Sequence, residues 1–190
     1  MSEHPEPPLL VEVLLIGGRI KGLCRGLGER RRLLEVLNGQ EAALLLEDAA
    51  VKLQIGPPRR THALAIEKKS IVAAIPWETP EQARQRVLSA ATVGRSPTSQ
   101  VPLVAFAPPY VIEGTAHLSP GAATQKGALY ASSPLFSHFF SVTNARLTLP
   151  DGSDLKAPVV LVNRETVSAL ERVEQAVKGP RDPLLGACWG

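Results

Sequence analysis

Ala43-Leu44-Leu45-Leu46-Glu47-Asp48-Ala49 and Phe139-Phe140-Ser141-Val142-Thr143-Asn144-Ala145 lie 96 residues apart and share one plan. Each is a mainly apolar run, then two polar residues, then alanine. The same offset relates Ile66-Glu67-Lys68-Lys69-Ser70-Ile71 to Val162-Asn163-Arg164-Glu165-Thr166-Val167, and Ile20-Lys21-Gly22 recurs as Ile112-Glu113-Gly114 at an offset of 92. Two landmarks with one offset point to a duplicated module, with copies at 9–78 and 101–170. Two copies are too few for a solenoid, which needs about three or more repeats.

Within each copy the signals are those of short strands. Leu10 to Ile16 is an apolar run closed by Gly17-Gly18, and Arg19 to Leu23 alternates polar and apolar as a half-buried strand does. Leu44–Leu53, Ala63–Ile66 and Ile71–Ile75 follow, with Pro57-Pro58 and Pro76 as breaks. Copy two repeats this as Val101–Ala107, Val111–Leu118, Phe139–Leu149, Val159–Val162 and Val167–Leu170, with Pro150-Asp151-Gly152 as a turn. Leu33, Leu34 and Leu37 predict a helix over 29–37, stopped at Asn38-Gly39. Thr79, Pro80 and Gln82 spell a capping box, so a helix and linker occupy 79–100. Residues 166–178 read as a short strand running into a helix. The first eight residues, with three prolines, read as an extended tail, and 171–190 as a terminal helix and tail.

Five short strands, an apolar-x-Gly second strand, and a third strand ending in an acidic or amide residue before alanine resemble the Sm-like small β-barrel. The residues concerned are Ile20-Lys21-Gly22, Glu47-Asp48-Ala49 and Thr143-Asn144-Ala145. The resemblance implies a mostly β chain with a few helices, built as two tandem Sm-like or SH3-like small barrels packed as a pseudo-dimer. Sm proteins contact RNA through an Asp-x-apolar-x-Asn loop and an Arg-Gly loop. Here only Asn38 matches the first, with Pro134 as its counterpart. Lys68-Lys69-Ser70 and Arg164-Glu165-Thr166 stand at the second without glycine. The fold carries over and the RNA site does not, and fold alone is not function.

Composition narrows the function classes. Apolar residues at 44% and charged residues at 21% exclude disordered and fibrous chains. No apolar run approaches the roughly 20 residues of a membrane span, and no secretory leader precedes Leu9. Cys24 and Cys188 are the only cysteines, so neither a disulfide framework nor a zinc set is expected, and the setting reads as reduced and cytoplasmic. His4, His62, His117 and His138 are scattered, so no metal is expected. Glycines 17, 18, 22, 26 and 28 satisfy no dinucleotide or phosphate-loop spacing, and no cofactor is implied. Ser137-His138 lacks a nucleophile elbow, and no catalytic residue is assigned.

The charge excess is confined to the first half: residues 1–95 hold 14 Lys/Arg against 11 Asp/Glu, and 96–190 hold 7 of each. Arg19, Lys21, Arg25, Arg30, Arg31, Arg32, Asn38, Lys68 and Lys69, extended by Arg59 and Arg60, form the candidate phosphate-contacting set. Guanidinium groups suit phosphate through bidentate, charge-assisted bonds. Only Trp77 lies before residue 100 to stack a base. The second copy concentrates aromatics instead. Tyr130, Phe136, Phe139 and Phe140, with Trp189 near the terminus, form a candidate protein interface, because aromatics are favoured there. On a strand, Phe139 and Phe140 face opposite ways, so one of them needs a second covering layer. The leading expectation is a non-catalytic scaffold acting through protein partners or self-association. The alternative is nucleic-acid binding through the basic copy.

Overall fold

The computed structural model describes residues 8–25, 27, 32–84, 99–118 and 138–173. Nearly all of the tail 1–8, most of the 79–100 connector and the part of the expected terminal helix and tail that follows Val173 lie outside these residues, as do Arg30, Arg31, Tyr130, Phe136 and Trp189.

The first half runs β1 (Leu9–Leu15), β2 (Gly18–Cys24), a short helix α1 (Leu33–Asn38), β3 (Ala43–Leu53), β4 (Arg59–Glu67), a 3-10 turn (Lys68–Ser70) and β5 (Ile71–Trp77). The second runs β6 (Ser99–Ala107), β7 (Tyr110–Leu118), β8 (Phe139–Thr148), β9 (Asp154–Asn163), a 3-10 turn (Arg164–Thr166) and β10 (Ala169–Arg172). Between them Thr79 caps a helical turn at 80–84. Its N–H donates to Gln82 Oε1 (2.9 Å), and Gln82 N–H donates to Thr79 Oγ1 (3.2 Å).

All ten strands belong to one antiparallel sheet, in the order β10-β6-β7-β8-β9-β5-β1-β2-β3-β4. This corrects the expectation of two tandem closed barrels forming a pseudo-dimer. Closure of the first half would need β4 to pair with β5. Instead β5 pairs with β9, through Ala73↔Val162 and Ala74↔Leu161, and the hydrogen-bond ladder runs from one half into the other. The reason lies in β5 itself. Ile71, Val72, Ala73, Ala74 and Ile75 are all fully buried, because Ile71 and Ala74 face the first-half core while Val72, Ala73 and Ile75 face the second. A strand with two apolar faces belongs in the middle of a sheet.

Local details recur between the halves at the sequence offsets. The β2–β3 ladder slips between Lys21 and Leu23, and the β7–β8 ladder between Glu113 and Thr115. Asp48 and Asn144 both take positive φ, 46° and 52°, a region that Asp and Asn tolerate better than other non-glycine residues. These kinks also explain two strand boundaries. β9 begins at Asp154 and β4 at Arg59, earlier than apolar runs alone indicate, and each passes the kinked residue without pairing to it. Pro158 stands at that gap in the β8–β9 ladder, which is why the strand tolerates a proline there. Helix α1 occupies 33–38, overlapping the expected 29–37 segment and running one residue past it, with Leu33 and Leu37 buried one turn apart.

Candidate functional site

Among the described residues, the expected phosphate-contacting side chains are spread over several separate pairings. Arg19 pairs with Glu12 (3.6 Å). Lys21 lies over the Trp77 ring at 5.7 Å, and the Trp77 indole N–H donates to Glu12 Oε2 (3.1 Å). Arg25 bonds Glu47. Arg32 stands at the helix start, its N–H donating to Glu35 Oε2 (3.1 Å). Lys69 pairs with Glu67 (2.8 Å), and the bond to that carboxylate raises its pKa.

Asn38 and Lys68 are turned inward. Asn38 Nδ2 donates to Phe139 O (3.0 Å) and its Oδ1 accepts from Phe139 N–H (2.8 Å), so one side chain pairs with the first residue of β8 as a neighbouring strand would. Lys68 is only 8% exposed. Its ammonium donates to the carbonyls of Val36 and Gly39 (3.1 Å for the latter), and Glu41 lies at 3.8 Å. A cation at the last carbonyls of a helix satisfies acceptors that have no partner within it. Both residues fasten α1 to the sheet.

Phe139 and Phe140 are buried inside the chain, where they seal the joint between its halves. Phe139 belongs to the first-half core with Leu9, Leu37 and Leu161, and Phe140 to the second. Tyr110 reaches across the same joint, its hydroxyl lying 2.8 Å from Leu15 O and 3.3 Å from Gly18 O. Burial pushes the phenol pKa up, against the pull of Arg19, so the group stays a hydrogen-bond donor. Asn163 Nδ2 donates to Ile71 O (2.8 Å) at the end of the β5–β9 ladder. Sequence reasoning missed this use of Asn38, Asn163 and Tyr110. Polar residues beside strands give no signal of which distant backbone they meet.

The histidines take separate places: His62 near Asp48 (3.4 Å), His117 near Thr143 (3.0 Å) and His138 near Glu165 (3.0 Å). Cys24 is buried. Among the described residues no group of three or more His, Cys, Asp or Glu could hold a metal ion, and no helix is long and apolar enough to cross a membrane.

The feature with the clearest chemical capacity is the outer edge of β4. Lys68 N–H donates to Ala42 O (3.0 Å), which sets the alternation of the β3–β4 ladder. Up to the kink opposite Asp48, residues 64 and 66 then point their backbone groups toward β3, and Ala63, Ala65 and Glu67 point theirs away. No strand among the described residues pairs with that side. Two of its carbonyls accept side-chain bonds, Ala63 O from Thr61 Oγ1 (3.1 Å) and Glu67 O from Ser70 Oγ (2.7 Å), each leaving one lone pair. Ala63 and Ala65 are exposed, and Leu45, opposite Ala65 on β3, is 67% exposed.

A second surface arises from cross-strand register. Arg19 stands opposite Lys52, Lys21 opposite Ala50, and Ala50 opposite Arg60. Directly opposed residues share a face, so Arg19, Lys21, Lys52 and Arg60 share one face of β2, β3 and β4. Lys52 was not among the candidates, because only the register brings it to Arg19.

Comparisons with family models, with curated proteins and with solved structures found no match to this chain.

Proposed function

We propose that this chain is a non-catalytic binding scaffold that acts through protein–protein contact, by accepting a strand at β4. The observation that carries this reading is the outward row of backbone groups at Ala63, Ala65 and Glu67, flanked by exposed Ala63, Ala65 and Leu45. Natural sheets usually blunt such an edge with lysine, proline or a bulge. From Ala63 to Ile66 this strand has none of them. Main-chain bonds along such an edge supply affinity and the flanking side chains supply selectivity. We also read the recurring offsets as the trace of a duplicated unit. In that reading β9 is the counterpart of β4, and β9 already accepts a strand on its outer side, namely β5.

The test is Ala65→Pro, which removes one outward N–H and obstructs the edge while leaving the β3-facing bonds intact. With circular dichroism and thermal unfolding close to native, affinity capture from cell extract should lose the proteins, or further copies of the chain, that the native protein retains. Identical retained sets for the two proteins would overturn the reading.

A second reading is favoured by the shared face of Arg19, Lys21, Lys52 and Arg60: contact with a nucleic-acid backbone. It predicts that a single-stranded RNA oligonucleotide binds at low salt and that affinity falls steeply as salt rises. Lys52→Glu with Arg60→Glu should abolish retardation, because two contacts are lost and two repulsions added. Unchanged retardation in that double variant would eliminate this face as the site.

A further inference from the structure

We infer that the tip of the β3–β4 hairpin docks on an anionic lipid bilayer, inserting Leu53 and Ile55 while Lys52, Arg59 and Arg60 meet the headgroups. The tip reads Lys52-Leu53-Gln54-Ile55-Gly56-Pro57-Pro58-Arg59-Arg60, and each of these residues is exposed. Ile55 is 90% exposed and Leu53 46%, and Ile16 on the β1–β2 turn is 67% exposed. Gln54 ties that turn to the tip. Its backbone N–H donates to Gly17 O (2.9 Å) and its Nε2 to Ile16 O (3.4 Å). Both turns project, because a Cβ added at Gly17 or at Gly56 would meet nothing within 4 Å. Single exposed aliphatics are ordinary, whereas three gathered at one end of a sheet mark a contact surface.

The charge around the tip has one sign. Residues 49–61 include Lys52, Arg59 and Arg60 and no Asp or Glu. Among the described residues no carboxylate pairs with these three cations, whereas Arg25 and Lys69 each hold one. Arg19 is not counted with them: it pairs with Glu12 (3.6 Å), and after the Ser153 bonds its charge also lowers the pKa of Asp151. Each cation near an anionic leaflet raises partitioning about fivefold, and apolar insertion beside the cations supplies the second signal that stable attachment needs. Pro57 and Pro58 fix φ at two successive positions, so the tip has little freedom to lose on docking. A nucleic-acid strand fits less well. Its bases stack on aromatic side chains, and residues 49–61 include none.

Co-sedimentation of the full chain with lipid vesicles tests this. The native protein should bind vesicles of equal parts phosphatidylcholine and phosphatidylserine. It should bind phosphatidylcholine alone roughly tenfold more weakly or worse, and its binding to the anionic vesicles should fall as salt rises. Ile55→Ser keeps the net charge and should lower partitioning roughly tenfold. Arg59→Gln with Arg60→Gln should lower it about 25-fold, at about fivefold for each cation. All three side chains are exposed on a turn or its flank, so thermal unfolding of these variants should match the native chain. A second measurement reports depth. In Ile55→Trp, fluorescence emission should move to the blue when anionic vesicles are added, beyond any change in the native protein.

A native chain that stays in the supernatant with anionic vesicles overturns the inference. Binding that Ile55→Ser leaves unchanged overturns it too, as does an Ile55→Trp emission that anionic vesicles do not move, because the contact is then charge alone. If native vesicle binding is absent and Ile55→Ser instead loses proteins retained from cell extract, the tip serves a protein partner and bilayer docking fails. Ala65→Pro should bind vesicles as the native chain does, so strand addition at β4 and docking of the tip stand or fall separately. RNA retardation that Ile55→Ser leaves intact while vesicle binding is lost would support docking and separate it from contact through the basic face.

Discussion

Phe139→Ala is expected to destabilise the chain by about 3–5 kcal/mol, the range for removing a buried phenylalanine. Phe139 is 2% exposed and opens β8, in the second half of the sequence, yet its ring lies in the first-half core with Leu9, Leu33, Leu37, Ile71 and Leu161. Those residues come from β1, α1, β5 and β9. A cavity among them has several independent walls, and they cannot collapse together because α1 is held to β8 through Asn38 and to the 3-10 turn after β4 through Lys68. The cost should therefore fall in the upper part of the range. Because the ring belongs to one half by sequence and to the other by packing, the loss should appear as a single cooperative transition in urea, followed by circular dichroism. Phe106→Ala removes a ring that is 36% exposed and serves as the control; it should cost less than about 1 kcal/mol, as surface changes do. A Phe139→Ala cost as small as that of the control would show that the ring does not fill the first-half core.

The strands of each half were legible because their apolar residues alternate or run continuously between turn signals. Leu9–Leu15 and Tyr110–Leu118 are found close to where periodicity puts them. The capping box at Thr79 was legible for a similar reason: its two bonds join residues three apart, and local hydrogen bonds leave local sequence marks. The joint between the halves was not legible. Ile71 to Ile75 announces a strand buried on both faces, but the same run suits the wall of a closed barrel or the middle of an open sheet. Only the partner strand decides, and β9 lies about ninety residues away in sequence.

The candidate site divides along the same line. The apolar alternation of Phe139 and Phe140 was visible, and their placement in two different cores follows from it once the covering strands are known. The basic set was read as a cluster because its members are close in sequence. On a strand, neighbours in sequence face opposite ways, and on this fold several of them meet carboxylates or carbonyls of the chain before they meet solvent. The β4 edge left little mark. A row of outward backbone groups has no side-chain signature, and Thr61 to Ala65 reads as an ordinary half-polar strand.

The kink between β7 and β8 gives the other large expected effect. Gly114 sits where that ladder slips, and a Cβ there would lie 2.7 Å from Val142 Cγ1 and 2.8 Å from Thr143 O. The second of these is backbone, held on its other side by β9, so it cannot swing away as a side-chain tip does. Gly114→Val adds two further methyl groups to a space that has no room for the first. Its cost should be about 3 kcal/mol or more, at the top of the range for overpacking, and Gly114→Ala should cost about 1–3 kcal/mol. The counterpart in the first half makes the comparison quantitative. At Gly22 a Cβ would meet Glu47 O at 3.0 Å and Leu46 Cβ at 3.1 Å, contacts that a shift of a few tenths of an ångström relieves. Gly22→Ala should therefore destabilise less than Gly114→Ala when midpoints in urea are compared at unchanged slope. The two glycines share a place in the ladder and differ in how closely the next strand approaches, so the ordering isolates that approach from any general cost of replacing glycine. Equal costs at the two sites, or a Gly114→Ala chain as stable as the native one, would mean that close approach of β8 does not set the requirement for glycine.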